Sequence, residues 1–526
     1  MHSVQPETRG TSGGVASPGE VWFAIAMTVA FAAVVGWQVS VHELWRDEWN
    51  PWLIARHSES ILDLFANKRY EAHPALWYLL LFATSRFAVQ PLAMQWLHAS
   101  IAVLGCWTMV RFAPFSRWER GLLCGGYFLL YEYAVLARDY GLAVLFVWAF
   151  CASVSRRPQS LWPAVILGLL AWTHALATML SGFLGLWWLS SADSARRPVG
   201  WKRAFAVALL LLAVAGAAYD AAPPVDGGTG RWRFEWNAAR LSGAVGGLAD
   251  AFVPLSPFQL HFWNHHVLDP LPWVKAVAGM LLAAVASFAC AGRRQDLALW
   301  AGCVGCLLSF SYLRVVGVFR HHGFLFVALV ATAWLARSQV PATAVRLSGA
   351  RRAAFVLLLA LQLPGAAVAL RADARFPFST CGQAAAAVQQ LGVADLPLVG
   401  ETDVATAGVA GALRRPIHFV RGQRSTYFVR FDRERRRAPD DREIVSSARA
   451  LALREGKDAL LIMTRPLRRA RAGLERLATI PAGVVEDERY ILYLVSKVPP
   501  APRSGRRQES ANPPAEPTVA RSLRRP

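Results

Sequence analysis

From Val21 onward the chain is a succession of apolar runs separated by short polar connections. A helix needs roughly 20 apolar residues to cross a bilayer. Runs near that length fall at 21–41, 92–112, 119–136, 140–154, 161–175, 176–190, 201–221, 271–291, 296–314, 319–337 and 353–371. A further apolar stretch, HPALWYLLLFATSRFAVQ at 73–90, is expected to lie along the outer surface or to dip in partway. Beyond residue 372 the pattern changes. AAAAVQQLG, DVATAGVAGAL and REIVSSARALALREG have helical spacing, whereas LPLVGE, PIHFVR, ALLIMT and ERYILYLVSKV have the character of strands. This alternation predicts a small α/β domain over 373–498. No Gly-rich phosphate loop follows its first strand, so no nucleotide site is assigned. Residues 1–20 are polar and Gly/Ser-rich, residues 499–526 are Pro- and Arg-rich, and both are expected to be disordered. Val21–Val41 lacks a small-residue cleavage site and is taken as a retained signal-anchor.

Composition narrows the class. Of the 526 residues, 55% are hydrophobic and only 17% charged, against about 25% charged in soluble domains. The net charge of +21 would suit nucleic acid, but much of the basic charge sits in short connections between apolar runs, where it sets topology. No nucleic-acid partner is expected. Basic connections occur at 155–160, at 192–203, at Arg293-Arg294 and from Arg337 to Arg352, and all four share one side. Residues 113–120 join them if 73–90 does not cross. The odd number of spans then places the N-terminus in the cytoplasm and the C-terminal domain outside, in a multi-pass membrane protein. Cys303 and Cys306 form a CxxC inside an apolar run, where small residues packing between helices explain them better than a metal or redox centre.

Four segments meet on the outer face in this topology: the loop 42–91, the turn at Arg138-Asp139, the long Gly- and aromatic-rich loop 222–270, and the connection from Arg314 to His322. A loop as long as 222–270 is usually functional or disordered. Asp47 and Glu48 stand side by side just beyond the first apolar run. Carboxylates there are costly unless they face water or act. They could orient a helix beginning near Asn50-Pro51, with Asn50 as its cap. They could also take a proton from an acceptor hydroxyl or hold a divalent ion against a phosphate. Glu71 and His73 lie near this loop, with His73-Pro74 starting an apolar helix. Glu132, Arg138 and Asp139 lie at the outer end of a run, where ionisable groups line a polar cavity or anchor at the interface. Arg314, Arg320, His321 and His322 put positive charge on the side where it is usually depleted, and an anion such as phosphate suits the arginine fork.

Four segments resemble the GT-C class of membrane glycosyltransferases, near the protein O-mannosyltransferase and aminoarabinose transferase families. They are LWRDEWNPW with its acidic pair, HPALWYLLL, ARDYGLAVLF, and FRHHGFLFVALVA. The resemblance covers roughly residues 20–371. It implies a catalytic first-loop carboxylate facing outside, at Asp47 with Glu48 beside it, and a polyprenyl-phosphate sugar donor. The sequence departs from the families where Ala75 replaces the second proline of their His-Pro-Pro segment, and Asp139 matches the second acidic residue sought in a later loop.

The expected fold is an α-helical polytopic, GT-C-like membrane protein. It has about 11 spans plus juxtamembrane helices, and a small C-terminal α/β extracytoplasmic domain. The expected function is sugar transfer from a polyprenyl-phosphate donor to an envelope acceptor, with membrane lipid as the surrounding partner. Asp47, Glu48 and Asp139 are the expected catalytic group, and Glu71, His73, Arg138, Arg314, Arg320 and His321 the expected substrate contacts. A divalent cation is compatible with this set, but nothing in the sequence requires one. A transporter or flippase would show internal repeats and broken helices, and no clear repeat occurs. A non-catalytic scaffold would leave the acidic first loop unexplained.

Overall fold

The computed structural model describes residues 17–227, 232–339, 349–435, 438–468 and 473–497. Of the disorder expected at 1–20 and 499–526, residues 1–16 and 499–526 fall outside these residues, whereas Pro18–Glu20 are ordered as the first turn of α1, with Pro at its start. The first helices are α1 (Pro18–Val41), α2 (Arg46–His57), α3 (Ile61–Lys68), α4 (Leu76–Phe87), α5 (Leu92–Phe112) and α6 (Arg117–Gly125). Then come α7 (Asp139–Arg156), α8 (Trp162–Ala171), α9 (Ala175–Leu189), α10 (Gly200–Ala221) and α11 (Ala238–Phe252). The helical part closes with α12 (Pro272–Cys290), α13 (Arg294–Leu313), α14 (Phe319–Ser338), α15 (Gly349–Ala360) and α16 (Gln362–Arg375).

Among the described residues, seven helical stretches are long and apolar enough to cross a membrane: α1, α5, α10, α12, α13, α14 and the continuous α15–α16. The sequence runs at 161–175 and 176–190 form α8 and α9, of only 10 and 15 residues. The run 119–136 is not one helix. Helix α6 stops at the Gly125-Gly126 pair, and a π-helical turn, Phe128–Glu132, follows. Helix α4 has 12 residues, about 18 Å at 1.5 Å per residue, so the 73–90 segment does not traverse a hydrocarbon layer of about 30 Å.

The stretch 222–270 is not a plain loop, since α11 occupies its middle. The glycines of α11 serve close packing. A Cβ at Gly247 would sit 2.6 Å from the His322 ring, and one on Gly279 of α12 would sit 2.9 Å from the Val245 carbonyl oxygen. Small residues at such crossings let backbones approach.

The C-terminal domain contains α17 (Cys381–Gln390), β1 (Leu398–Gly400), α18 (Asp403–Leu413), β2 (Ile417–Phe419), β3 (Arg424–Thr426), α19 (Asp441–Glu455), β4 (Ala459–Met463), β5 (Leu474–Ile480) and β6 (Tyr490–Val495). The sheet order is β3-β2-β1-β4-β6-β5. Strand β1 is parallel to β2 (Val399 opposite His418) and to β4 (Val399 opposite Leu461). The outer pairs are antiparallel. The sequence patterns account for every helix and four of these strands. The short, half-exposed β3 and the largely solvent-facing β5 carry too few buried positions to produce an alternating signal.

Two cores organise the chain. One fills the helical bundle. The other joins α2 and α4 to the C-terminal domain, with Trp49, Trp52 and Leu53 packed among Ala407, Ala410, Leu460 and Tyr490. The first loop and the C-terminal domain therefore share one end of the bundle. At the opposite end the basic connections meet. Glu20 pairs with Arg117 and Arg120 at 2.9 and 2.7 Å, Glu119 pairs with Arg337 at 2.9 Å, and Arg196 donates to the Gln339 carbonyl at 2.8 Å.

Candidate active site

The site forms where the chain leaves α1. Helix α2 starts at Arg46, four residues earlier than Asn50, so Asp47 and Glu48 lie in its first turn. Negative charge suits that end of a helix. The two carboxylates nevertheless face different surroundings, because successive helical residues point about 100° apart. Glu48 is fully buried and saturated. Its Oε2 accepts from the Trp45 amide at 3.1 Å and lies 3.2 Å from His42 Nε2, and its Oε1 accepts from the Ala137 amide at 2.6 Å. His42 Nδ1 in turn meets Asp373 Oδ2 at 2.9 Å. Burial opposes a charge on His42, but Asp373 and Glu48 outweigh it and push the pKa up to about 10. This ionic chain ties the end of α1 to α2, α16 and the approach to α7. The contacts of Glu48 hold the loop in place.

Asp47 is the carboxylate that remains accessible, with its side chain 33% exposed. Its Oδ2 lies 3.4 Å from Arg320 Nη2 and 3.9 Å from Arg138 Nη1. Arg138 also donates to the Asp47 backbone carbonyl. That carbonyl is available because Pro51, four residues on, has no N–H to close the helical bond. The expectation that Asn50 caps the helix is thus corrected. Asn50 lies inside α2, donates to Glu71 Oε1 at 2.9 Å and accepts from the Val429 amide at 2.8 Å.

Arg320 sits in the first turn of α14, its guanidinium 5.3 Å from the ring centres of both Trp45 and Trp263. The two indoles meet edge to face at 4.7 Å. Trp263 is fixed by donating Nε1 to Glu132 at 3.1 Å, and Tyr127 donates to the same carboxylate oxygen at 2.7 Å. Glu132 therefore supports the aromatic clamp and is not grouped with Asp139. A cation between two aromatic faces is held without being neutralised, which leaves the fork of Arg320 free to meet an anion.

Behind Asp47 lies an imidazole-rich layer. Asp139, in the first turn of α7, has Oδ2 3.5 Å from His73 Nδ1. The His73 and His174 rings are 5.0 Å apart, and His174 is 6.3 Å from His321. His174 and His321 each accept a backbone amide at Nδ1, from Leu176 at 3.1 Å and from Val318 at 3.2 Å. Glu71 is half-buried, and the desolvation of its carboxyl pushes the pKa up to about 7 despite Arg138 and its bonds to Asn50 and Tyr78. Between Glu71 and His73, Ala72 takes a left-handed conformation with φ of 58°, which turns both side chains inward.

The structure thus brings together Asp47, Arg138, Asp139, Glu71, His73, Arg320 and His321. Arg314 does not join them. It lies against Trp232 at 5.7 Å and makes none of the contacts that link Arg320 to Asp47. His322 is likewise drawn away, bonding Asp250 at 2.9 Å, while Lys275 pairs with the same carboxylate at 2.6 Å. The four-residue basic cluster of the sequence is divided because a helix begins within it. Trp45, Trp263 and His174 are site residues that the sequence reading passed over. His174 had a signal, being an ionisable residue inside an apolar run.

No protein-family model matches this chain, and no curated protein matches it. Two solved structures do. The ArnT protein of Cupriavidus metallidurans bound to undecaprenyl phosphate is 14% identical, with 91% of this chain and 98% of that chain covered at a TM-score of 0.49. The same protein in its apo state is 13% identical, covering 91% and 99%, at a TM-score of 0.43.

Proposed function

We propose that this chain is a membrane glycosyltransferase that moves a sugar from a polyprenyl-phosphate donor to an envelope acceptor, on the face that carries the C-terminal domain. The observation that carries this reading is the placement of Asp47. A single partly exposed carboxylate is shared by Arg320 and Arg138 at the mouth of the helical bundle, beneath two indoles.

The chemistry follows from that arrangement. The donor phosphate competes with Asp47 for the two guanidinium groups, and a phosphate oxygen suits the arginine fork as well as a carboxylate does. Binding of donor therefore frees Asp47. The Asp47 carboxylate takes the proton of the acceptor hydroxyl as its oxygen bonds to the anomeric carbon. The bond from that carbon to the phosphate oxygen breaks, and the lipid phosphate leaves with the electron pair against Arg320 and Arg138. Attack from the side opposite the leaving group inverts the anomeric centre. Asp139 and His73 flank this path, and Glu71 holds Asn50 and so the α2 turn.

The test is transfer in proteoliposomes containing a polyprenyl-phosphate sugar. General-base assistance is typically worth about 10²–10⁴-fold, so Asp47→Asn should lose at least about 100-fold in turnover while donor still binds. Normal turnover by Asp47→Asn would remove Asp47 from the chemistry. Failure of wild type to use any such donor would overturn the transferase reading itself.

A further inference from the structure

We propose that His73, Asp139 and His174 form a binding site for a first-row divalent cation of the zinc or manganese type. One ligand atom from each residue lies within 4.8 Å of the other two. Two of these groups have buried polar atoms without a partner. Asp139 is 2% exposed and its Oδ1 accepts nothing, and His73 Nδ1 is also unbonded. Buried polar atoms are nearly always satisfied, so an orphan atom on each of two neighbouring side chains calls for a ligand. Their geometry suits a metal better than a hydrogen bond. His73 Nδ1 and Asp139 Oδ2 are 3.5 Å apart, long for a hydrogen bond. Two ligands at the usual 2.0–2.2 Å from a tetrahedral ion stand about 3.4 Å apart.

The donor set points to the ion class. Two imidazoles and one carboxylate suit zinc, manganese or iron rather than calcium or magnesium. Three protein ligands leave at least one position open, as in sites where a metal meets a substrate. The local charge does not forbid a cation, because Asp47 and Asp139 offset Arg138 and Arg320. His174 already gives Nδ1 to the Leu176 amide at 3.1 Å, so ligation at Nε2 moves the ring proton to Nδ1 and releases that bond. With the ligand atoms within 4.8 Å of one another, closing to coordination spacing requires a shift of at most about 1.4 Å. The site is thus two-thirds formed and closes on the ion. Resting on the proposed function, the open position would take an oxygen of the donor phosphate.

The experiment uses the full-length protein in detergent, stripped with a chelator and titrated with Zn²⁺ and, separately, with Mn²⁺. Metal per chain is read by emission spectroscopy, and Mn²⁺ also by loss of its free EPR signal. Wild type should bind one equivalent of at least one of the two ions. His73→Ala, His174→Ala and Asp139→Ala should each weaken binding at least tenfold, and control His265→Ala, at an exposed ring, should not. A Zn²⁺-dependent rise in the thermal midpoint of wild type, absent in His73→Gln, covers the case in which an alanine variant fails to fold. The site is refuted if stripped wild type takes up neither ion, or if the three variants bind as wild type does. Because no sugar donor is present, this failure is separate from failure of the transferase reading.

Discussion

Asp47 and Glu48 are neighbours in sequence with opposite fates, and the contrast shows what one residue's surroundings decide. Asp47 keeps part of its surface exposed, and two of its three charged partners, Arg138 and Arg320, reach it from other elements and would also bind phosphate. Glu48 has spent its oxygens on Trp45, Ala137 and His42. Glu48→Gln should therefore act on folding before chemistry, lowering stability by about 1–3 kcal/mol, the usual penalty for an unsatisfied buried polar group. The check is a thermal midpoint set beside turnover. A variant as stable as wild type but slowed about 100-fold would make Glu48 a reacting group after all. The acidic pair itself was legible because carboxylates at a membrane boundary are costly without a task. Which member stays accessible was not, since that depends on helical phase and on Ala137, 89 residues away. The same limit applies to Arg314 and Arg320. Both carry charge on the expected face, but only the one that enters a helix turns toward Asp47.

Helix α2 couples the site to the rest of the protein through two local irregularities. The first is Pro51, which leaves the Asp47 carbonyl for Arg138. Pro51→Ala supplies the missing N–H. The expected result is a firmer helix with a higher thermal midpoint and a displaced Arg138, and transfer reduced by roughly 10–100-fold, since small misplacements in an active site can cost that much. Unchanged transfer in a stabilised variant would show that Arg138 needs no carbonyl anchor. The second is the junction with the C-terminal domain, where buried Glu488 accepts from the Arg46 amide at 3.0 Å and from Ser379. Burial raises its pKa from the ordinary 4.5 to about 7, against the pull of Ser379 and Arg46. A raised carboxyl pKa stabilises the folded state fully below about 4.5, and that contribution is lost as the pH climbs through about 7. Glu488→Gln should flatten the fall in thermal midpoint across that window. An equally steep profile in the variant would assign the pH dependence to other groups. Element types were legible wherever a burial period persisted, as in α18, α19 and β4. They were hidden where glycine serves packing, as in α11, whose Gly-rich composition reads as loop until α12 and His322 are placed against it.

On the scale of the whole molecule, exposed aromatics mark two levels. Trp22 and Trp37 on α1 are both exposed, as are Trp201 and Tyr219 on α10. Separations of 15 and 18 helical residues correspond to about 22 and 27 Å, close to the thickness of a hydrocarbon layer flanked by its aromatic belts. Beyond one belt lie Arg117, Arg120, Arg196 and Arg337. Beyond the other lie Asp47, the first-loop helices and the C-terminal domain, joined by one core. Positive charge concentrates on the cytoplasmic side of membrane proteins, so the basic end should face the cytoplasm and the site should face outward. Single cysteines test this well, because six of the seven native cysteines are buried and Cys306 is only partly accessible. A membrane-impermeant thiol reagent applied to intact cells should label Ser60→Cys and Arg454→Cys, at exposed positions of the first loop and of α19. It should reach Ser194→Cys, in the basic connection after α9, only once the membrane is opened. Labelling of Ser60→Cys and Arg454→Cys from opposite sides would contradict the shared core. Labelling of both from the cytoplasm alone would invert the protein, and would place Asp47 on the wrong face for transfer to an envelope acceptor.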